Sequence, residues 1–186
     1  MDRYKSTLGI VINKKTIKES DILVTLLTPT DGKIVALAKG AKNIKSSRLG
    51  NIQLGNIIKA HLYQKENFLW LSESQNISPF LQNDKNLAQL NLLFYFLEIV
   101  NRLIAENQHI EKIFDISQNI IDAINKNLIN KYIQNEINFL EVLGFGVPPE
   151  IKDTFSQKDY KNSQRLIKKY FESIIEKPLE SNKLFK

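Results

Sequence analysis

Cysteine is absent from all 186 residues. That absence excludes disulfides, zinc–thiolate sites and thiol nucleophiles together, and it suits a reducing compartment. Histidine occurs only as His61 and His109, with no His-x-x-x-His or His-x-Glu spacing, so both are assigned structural or surface roles rather than metal ligation. Seven glycines are scattered along the chain. Lys39-Gly40-Ala41-Lys42 lacks the spacing of a phosphate-cradling loop, and no Gly-x-Ser-x-Gly elbow occurs. No apolar run approaches the roughly 20 residues of a membrane span, and Met1–Ser6, with Asp2, Arg3 and Lys5, does not lead into a signal-peptide core. The expectation is a cytoplasmic protein with no membrane partner, no cofactor, no metal and no catalytic centre. Glu19-Ser20-Asp21 is the one close acidic pair in a turn, and its side chains are expected to cap that turn rather than act as acid and base.

What is present is a basic excess confined to one part of the chain. Met1–Pro79 holds twelve Lys and Arg against six Asp and Glu, whereas the remainder holds fourteen of each. Lys33, Lys39, Lys42, Lys45 and Arg48 fall in a window without an acid. Charge of one sign gathered on one domain is the footprint expected of a polyanion partner. Asn, Ile and Lys are abundant throughout, so the distribution of charge carries this argument and the count alone does not.

Hydrophobic periodicity divides the chain near Ser78-Pro79. Before it, Leu8, Ile10 and Ile12 alternate with Gly9, Val11 and Asn13, and Ile22–Leu27, Ile34–Ala38, Ile52–Tyr63 and Phe68–Ile77 read as further strands. Thr30-Asp31-Gly32-Lys33 and Lys65-Glu66-Asn67 read as turns. Five short strands fit a small barrel, with an SH3-like barrel or an open sandwich compatible with the same pattern. After the boundary, Leu87, Leu90, Phe94, Leu97, Val100 and Ile104 recur at helical spacing. Ile110–Leu128 and Ile129–Leu143 continue that spacing, the latter closing at Gly144. Leu166, Ile167, Tyr170, Phe171, Ile174 and Ile175 mark a last helix, and the polar stretch 150–162 reads as a loop. The expected architecture is α+β, a barrel over residues 1–78 and an all-helical domain over 79–186.

A barrel binds single strands through cations that follow the phosphates and exposed rings that stack the bases. The cations here are Lys39, Lys42, Lys45 and Arg48 with Lys33, and a second cluster of Lys14, Lys15 and Lys18. Among the rings Tyr4, Tyr63, Phe68 and Trp70, Tyr63 is favoured for exposure, while Trp70, between Leu69 and Leu71, is assigned to the core. Neutralising five such charges would give a salt slope of roughly −3.5 on logarithmic axes.

The order of these motifs resembles the RecO family. Glu19-Ser20-Asp21-Ile22-Leu23, Thr25-Leu26-Leu27-Thr28, Gly32-Lys33, Ala38-Lys39-Gly40-Ala41-Lys42 and Lys45-Ser46 are similar to its N-terminal domain: an acidic turn, an apolar strand, a glycine turn and a basic Lys-Gly loop. Glu136–Pro148 is similar to its helix ending in Leu-Gly-Tyr-x-Pro, and Arg165–Tyr170 through Pro178-Leu179-Glu180-Ser181 to its final helix. The resemblance implies an OB-like barrel and a non-enzymatic mediator. Such a protein binds single- and double-stranded DNA, anneals complementary strands, engages the acidic tail of the single-strand-binding protein and, with RecR, helps load RecA. It also implies a nucleoid-associated location. A basic rim for that tail is expected on the helical domain, with Arg102, Lys112, Lys126 and Lys131 as candidates. Two features depart from the family: the Cys-based zinc segment has no counterpart here, and Asn135 stands where a Phe is usual. The residues by themselves leave two rivals, a barrel-containing RNA-binding or ribosome-associated protein, and an adaptor whose basic loop is incidental.

Overall fold

The computed structural model describes residues 4–17, 19–43, 46, 48–66, 68–80 and 86–183. Five strands, β1 (Tyr4–Thr16), β2 (Ile22–Thr28), β3 (Gly32–Ala38), β4 (Ile57–Lys65) and β5 (Phe68–Ser78), close in the order β1-β2-β3-β5-β4. All pairings are antiparallel except the contact of β3 with β5, a single parallel register at Leu37 and Trp70. This is the expected five-stranded OB-like barrel.

Closure rests on β1, whose first half, Tyr4–Ile10, pairs with β4 and whose second half, Ile10–Thr16, pairs with β2. The register shifts between Val11 and Asn13, so that Ile12 is the extra residue of a bulge that bends the strand around the corner. Alternation then sends Val11, Val24, Leu26, Ile34, Ala36, Ile58, Ala60, Leu62 and Leu71 inward as one core, with Leu54 and Leu69 packed against it. The alanines matter because the interior of a five-stranded barrel is narrow.

One expected strand begins late. Ile52–Asn56 precedes β4 and meets β1 only at its end, where the Gly55 N–H donates to the Val11 carbonyl and the Asn56 carbonyl accepts from the Val11 N–H, each at 2.9 Å; a short helix, α1 (Arg48–Asn51), comes before it, and Ile52 enters the core from there. The glycines and polar residues of this stretch leave its alternation too weak for a strand. Asn56 is buried and ties the segment down, donating to the Asn51 carbonyl at 2.9 Å and accepting from the Phe80 N–H at 2.9 Å.

The helical elements are α2 (Leu87–Leu103), α3 (Ile113–Asn125), α4 (Ile129–Val142), α5 (Pro149–Ser156) and α6 (Tyr160–Ile175), followed by a 3₁₀ turn, Glu180–Lys183. Two compact units result: Met1–Asp84 with Ile104–His109, and Lys85–Leu103 with Ile110–Lys186. The connection after α2 therefore belongs to the barrel unit, where the Asn107 N–H donates to the Lys33 carbonyl at 2.7 Å. It engages β3 where that strand has no β5 partner.

In the helical unit, α2 buries the later part of the stripe that periodicity selected but not its start. Leu87 is exposed and Phe94 half-buried, while Gln89, Leu93, Phe96, Leu97 and Val100 face inward. A helix this rich in apolar residues offers more than one self-consistent stripe. Asn86 and Gln89 bond reciprocally through side chain and backbone N–H to open the helix, a capping box. Rings from three helices then meet edge to face: Phe96 and Phe139 at 5.4 Å, Phe139 and Phe171 at 6.3 Å, Tyr95 and Phe171 at 6.4 Å. The stretch 150–162, expected as a loop, instead holds α5 and the start of α6. Pro149 occupies the first turn of α5, and Asp159 caps α6 by accepting from the Asn162 N–H. Only Ile151 of α5 is buried, which is why its polar sequence hid the helix.

Two carboxyl groups in this unit sit in opposite environments. Burial pushes the Glu136 carboxyl up to about 8, although the Tyr132 hydroxyl donates to it at 2.8 Å. Burial acts on Glu98 in the same direction. There, however, the N–H groups of Ser181 and Glu180, each at 2.8 Å, and Arg102 at 2.6 Å outweigh it and hold the carboxyl below its usual range. The anion is thus favoured at Glu98 and disfavoured at Glu136.

Two predictions follow from this packing. Gly32 has φ +66°, and a Cβ there would run into the Gln108 carbonyl. Gly32→Ala should therefore lower stability by at least about 1–2 kcal/mol; an unchanged denaturation midpoint would contradict the close approach. For Glu136, the folded state holds a proton that the unfolded chain releases above its ordinary value near 4.5. Its contribution is complete below that value and is lost as pH rises toward about 8. Glu136→Gln should remove this loss, gaining on the parent by a few kcal/mol between pH 5 and 9. Parallel unfolding-versus-pH curves would show that Glu136 does not carry it.

Candidate nucleic-acid interface

The basic loop after β3 is held by groups that the sequence places far from it. The Asp21 carboxylate accepts from the Gly40 N–H at 2.8 Å, and the Ser20 carbonyl accepts from the Lys42 N–H at 3.1 Å. Gly40 has φ +64°, the left-handed turn that directs its N–H toward Asp21. The Asp21 side chain is thus a cap for the loop after β3, not for its own turn as expected.

Arg48 fastens the other side. Its guanidinium donates to the Lys39 carbonyl at 2.8 Å, to Leu71 at 3.1 Å and to Ser72 at 3.4 Å. It bridges the loop to β5 with donors that the sequence reading assigned to phosphates. Lys39 and Lys42 remain exposed, and neither forms an ion pair with a described acid. Beside the loop, Gly40, Asn43, Ser46, Arg48, Ser72, Glu73 and Ser74 line an open depression of about 510 Å³. Its walls are polar, and Glu73 is its one acid.

The remaining candidates separate. Lys33 is buried, 8% exposed, and burial lowers its pKa against the pull of Glu106. Lys14 is half-buried, with its pKa lowered by burial, and donates to Gln53 at 2.6 Å. Lys15 is exposed. Lys18 and Lys45 lie outside the described residues. In the helical unit, Arg102 is engaged by Glu98 at 2.6 Å and Lys126 by Asp122 at 2.8 Å, whereas Lys112 and Lys131 are exposed.

Tyr63 is half-buried and stacks on Tyr4, centroids 4.7 Å apart and planes at 28°. Trp70, assigned to the core from sequence, lies outside the core cluster and is half-buried. Its neighbours Leu69 and Leu71 fill the core, and strict alternation puts the residue between them on the outer wall. The ammonium groups of Lys39 and Lys65 each lie 5.8 Å from its ring centroid, within cation–π range. Lys65 was not among the residues singled out; its place one strand across from Trp70 is a matter of register. Among the described residues, no group of three His, Cys, Asp or Glu is placed to hold a metal ion. No helix there is long and apolar enough to cross a membrane.

A closed OB-like barrel with uncompensated lysines on the loop beyond β3, followed by a helical unit, defines the class of this protein. Residues 1–80 match the family model of the recombination protein O N-terminal domain. Similar proteins include the DNA repair protein RecO of Thermoanaerobacter sp. (strain X514), 25% identical over 146 residues, which are 77% of this chain and 59% of the relative. That of Acetivibrio thermocellus is 29% identical over 123 residues, 66% and 49% of the two chains. That of Symbiobacterium thermophilum is 30% identical over 103 residues, 55% and 41%. Over residues 1–80 the chain is thus similar to the N-terminal domain of the RecO family, and over a longer stretch to DNA repair proteins RecO. It spans about half the length of the curated relatives it matches.

Because Arg48 donates to three carbonyls, Arg48→Lys, which keeps the charge but not the planar fork, should lower stability by roughly 1–3 kcal/mol. Chemical denaturation of the two proteins measures this, and equal midpoints would mean that the carbonyl contacts contribute nothing.

Proposed function

We propose that this protein acts in DNA repair as a recombination mediator: its barrel binds single- and double-stranded DNA and brings complementary strands together. The observation that carries this reading is the loop after β3, where Lys39 and Lys42 stand exposed and unpaired while Asp21 and Arg48 hold the backbone beneath them. A fixed loop bearing mobile ammonium groups contacts phosphates without reading bases. Annealing needs that combination, since two polyanions must be screened at once and the bases left free to pair. Similarity to the RecO family supports the same reading. It extends it to RecR, to the acidic tail of the single-strand-binding protein and, through them, to loading of RecA. For the tail, Lys112 and Lys131 are better placed than Arg102 and Lys126, whose charges are already matched within the helical unit.

The test is annealing of two complementary labelled strands, each coated with the cognate single-strand-binding protein, over a salt series. The protein should accelerate annealing, and the acceleration should fade with salt. Lys39→Ala combined with Lys42→Ala should weaken single-strand binding for all sequences and flatten the logarithmic salt slope by about 1.4. Arg48 stays unchanged in this variant so that loop geometry is preserved. Acceleration that persists undiminished in the double variant would remove the loop from the mechanism, and no acceleration at low salt by folded protein would overturn the mediator reading.

A further inference from the structure

Directly paired residues in a sheet project from the same face, so cross-strand registers trace lines over the barrel's outer wall. One line runs through all five strands: Lys15 pairs with Leu23, Leu23 with Leu37, Leu37 with Trp70, Trp70 with Tyr63, and Tyr63 with Tyr4. None of its members is buried: Lys15 and Tyr4 are exposed, Tyr4 at 71%, and Leu23, Leu37, Trp70 and Tyr63 are half-buried. The line is therefore aliphatic in its first part and aromatic in its second, with an exposed lysine at its start. Phe68, 62% exposed, lies beside it at the head of β5.

Two further observations specify what would lie along this line. Lys39 and Lys65 both approach the Trp70 ring at 5.8 Å, so the largest ring is bordered by cations, and one of them belongs to the basic loop. The Tyr4 and Tyr63 rings are already stacked at 4.7 Å, which holds their planes ready for another flat group. Acids are present at the margin, Glu66 in the β4–β5 turn and Glu73 on β5, but none occupies a position in the line. Flat rings between ammonium groups suit a ligand with flat apolar faces and a negatively charged backbone. An acidic peptide would be drawn by the cations but would leave the rings unused.

We propose that this row, Trp70–Tyr63–Tyr4 with Lys39 and Lys65, is a stacking platform for the unpaired bases of single-stranded DNA, and that it makes the barrel prefer single strands to duplex. The inference rests on the DNA-binding reading above and deepens it. Lysines attract either form through phosphate, but a duplex hides its base faces in its own stack, so the rings distinguish the two.

Trp70 is the chain's single tryptophan, so its emission reports on the row without any substitution. The full chain is titrated with an oligothymidine strand and, separately, with a blunt duplex, following Trp70 emission and the anisotropy of labelled DNA on the same samples. The oligothymidine should change the emission and saturate it in step with the anisotropy, while the duplex should bind without that change. Tyr4→Leu combined with Tyr63→Leu keeps apolar bulk at one exposed and one half-buried position. It should weaken single-strand binding by about tenfold or more and leave duplex affinity within about twofold. Single-strand binding with Trp70 emission unmoved, or equal losses for both forms of DNA, overturns the platform while leaving the loop reading intact. Failure to bind either DNA overturns both.

Discussion

The double pairing of β1 is the constraint on which the barrel depends. One strand serves β4 with its first half and β2 with its second, and the bulge at Ile12 lets it do so without breaking the ladder. Once the sheet is closed, inside and outside are assigned for every strand together, because a side chain can leave the wall in only two directions. The small core of valines, isoleucines, leucines and alanines follows. So does the outer line that carries Trp70, Tyr63 and Tyr4. A one-residue slip of β5 would exchange Trp70 with its leucine neighbours and lose both at once.

The cations of the chain divide by what surrounds them. Arg48 and Arg102 are spent on structure, the first on three carbonyls, the second on Glu98. Planar guanidinium groups suit such work because several donors act from one rigid fork. Among the exposed lysines, Lys39, Lys42 and Lys65 stand at the loop after β3 and the end of β4, two of them beside Trp70. A flexible ammonium on an exposed stem follows a phosphate chain without fixing its register.

The helical unit is organised by rings and by two carboxyl groups in contrasting settings. Phe96, Phe139, Phe171 and Tyr95 join α2, α4 and α6, and Glu136 lies buried on α4 with Tyr132 as its bonded partner. Glu98, by contrast, is a half-buried anion that receives the N–H groups opening the 3₁₀ turn at Glu180. Desolvation dominates where only one hydroxyl offers a hydrogen bond, and hydrogen bonding dominates where two N–H groups and a guanidinium converge.

Much of this was legible from sequence. Alternation and turn residues marked the strands, helical spacing and Gly144 marked α4, and the acid-free window marked the basic loop. These signals are local: each depends on residues within a turn or two of one another. Three residues stand in settings that the local sequence did not indicate, for a common reason. Arg48 looked like a phosphate ligand, Lys33 like a surface charge and Trp70 like core, and each was decided by residues distant in the chain. Carbonyls of β5 took the Arg48 donors, the segment after α2 covered the neighbourhood of Lys33, and pairing with Tyr63 placed Trp70 on the wall beside Lys39 and Lys65. The sequence by itself determined which segments become strands and helices and where positive charge gathers, because propensity and composition act over short range. Which cations remain free, and which rings line up beside them, only the tertiary structure decided. Barrel closure brings together side chains whose separation along the chain carries no record of their contact.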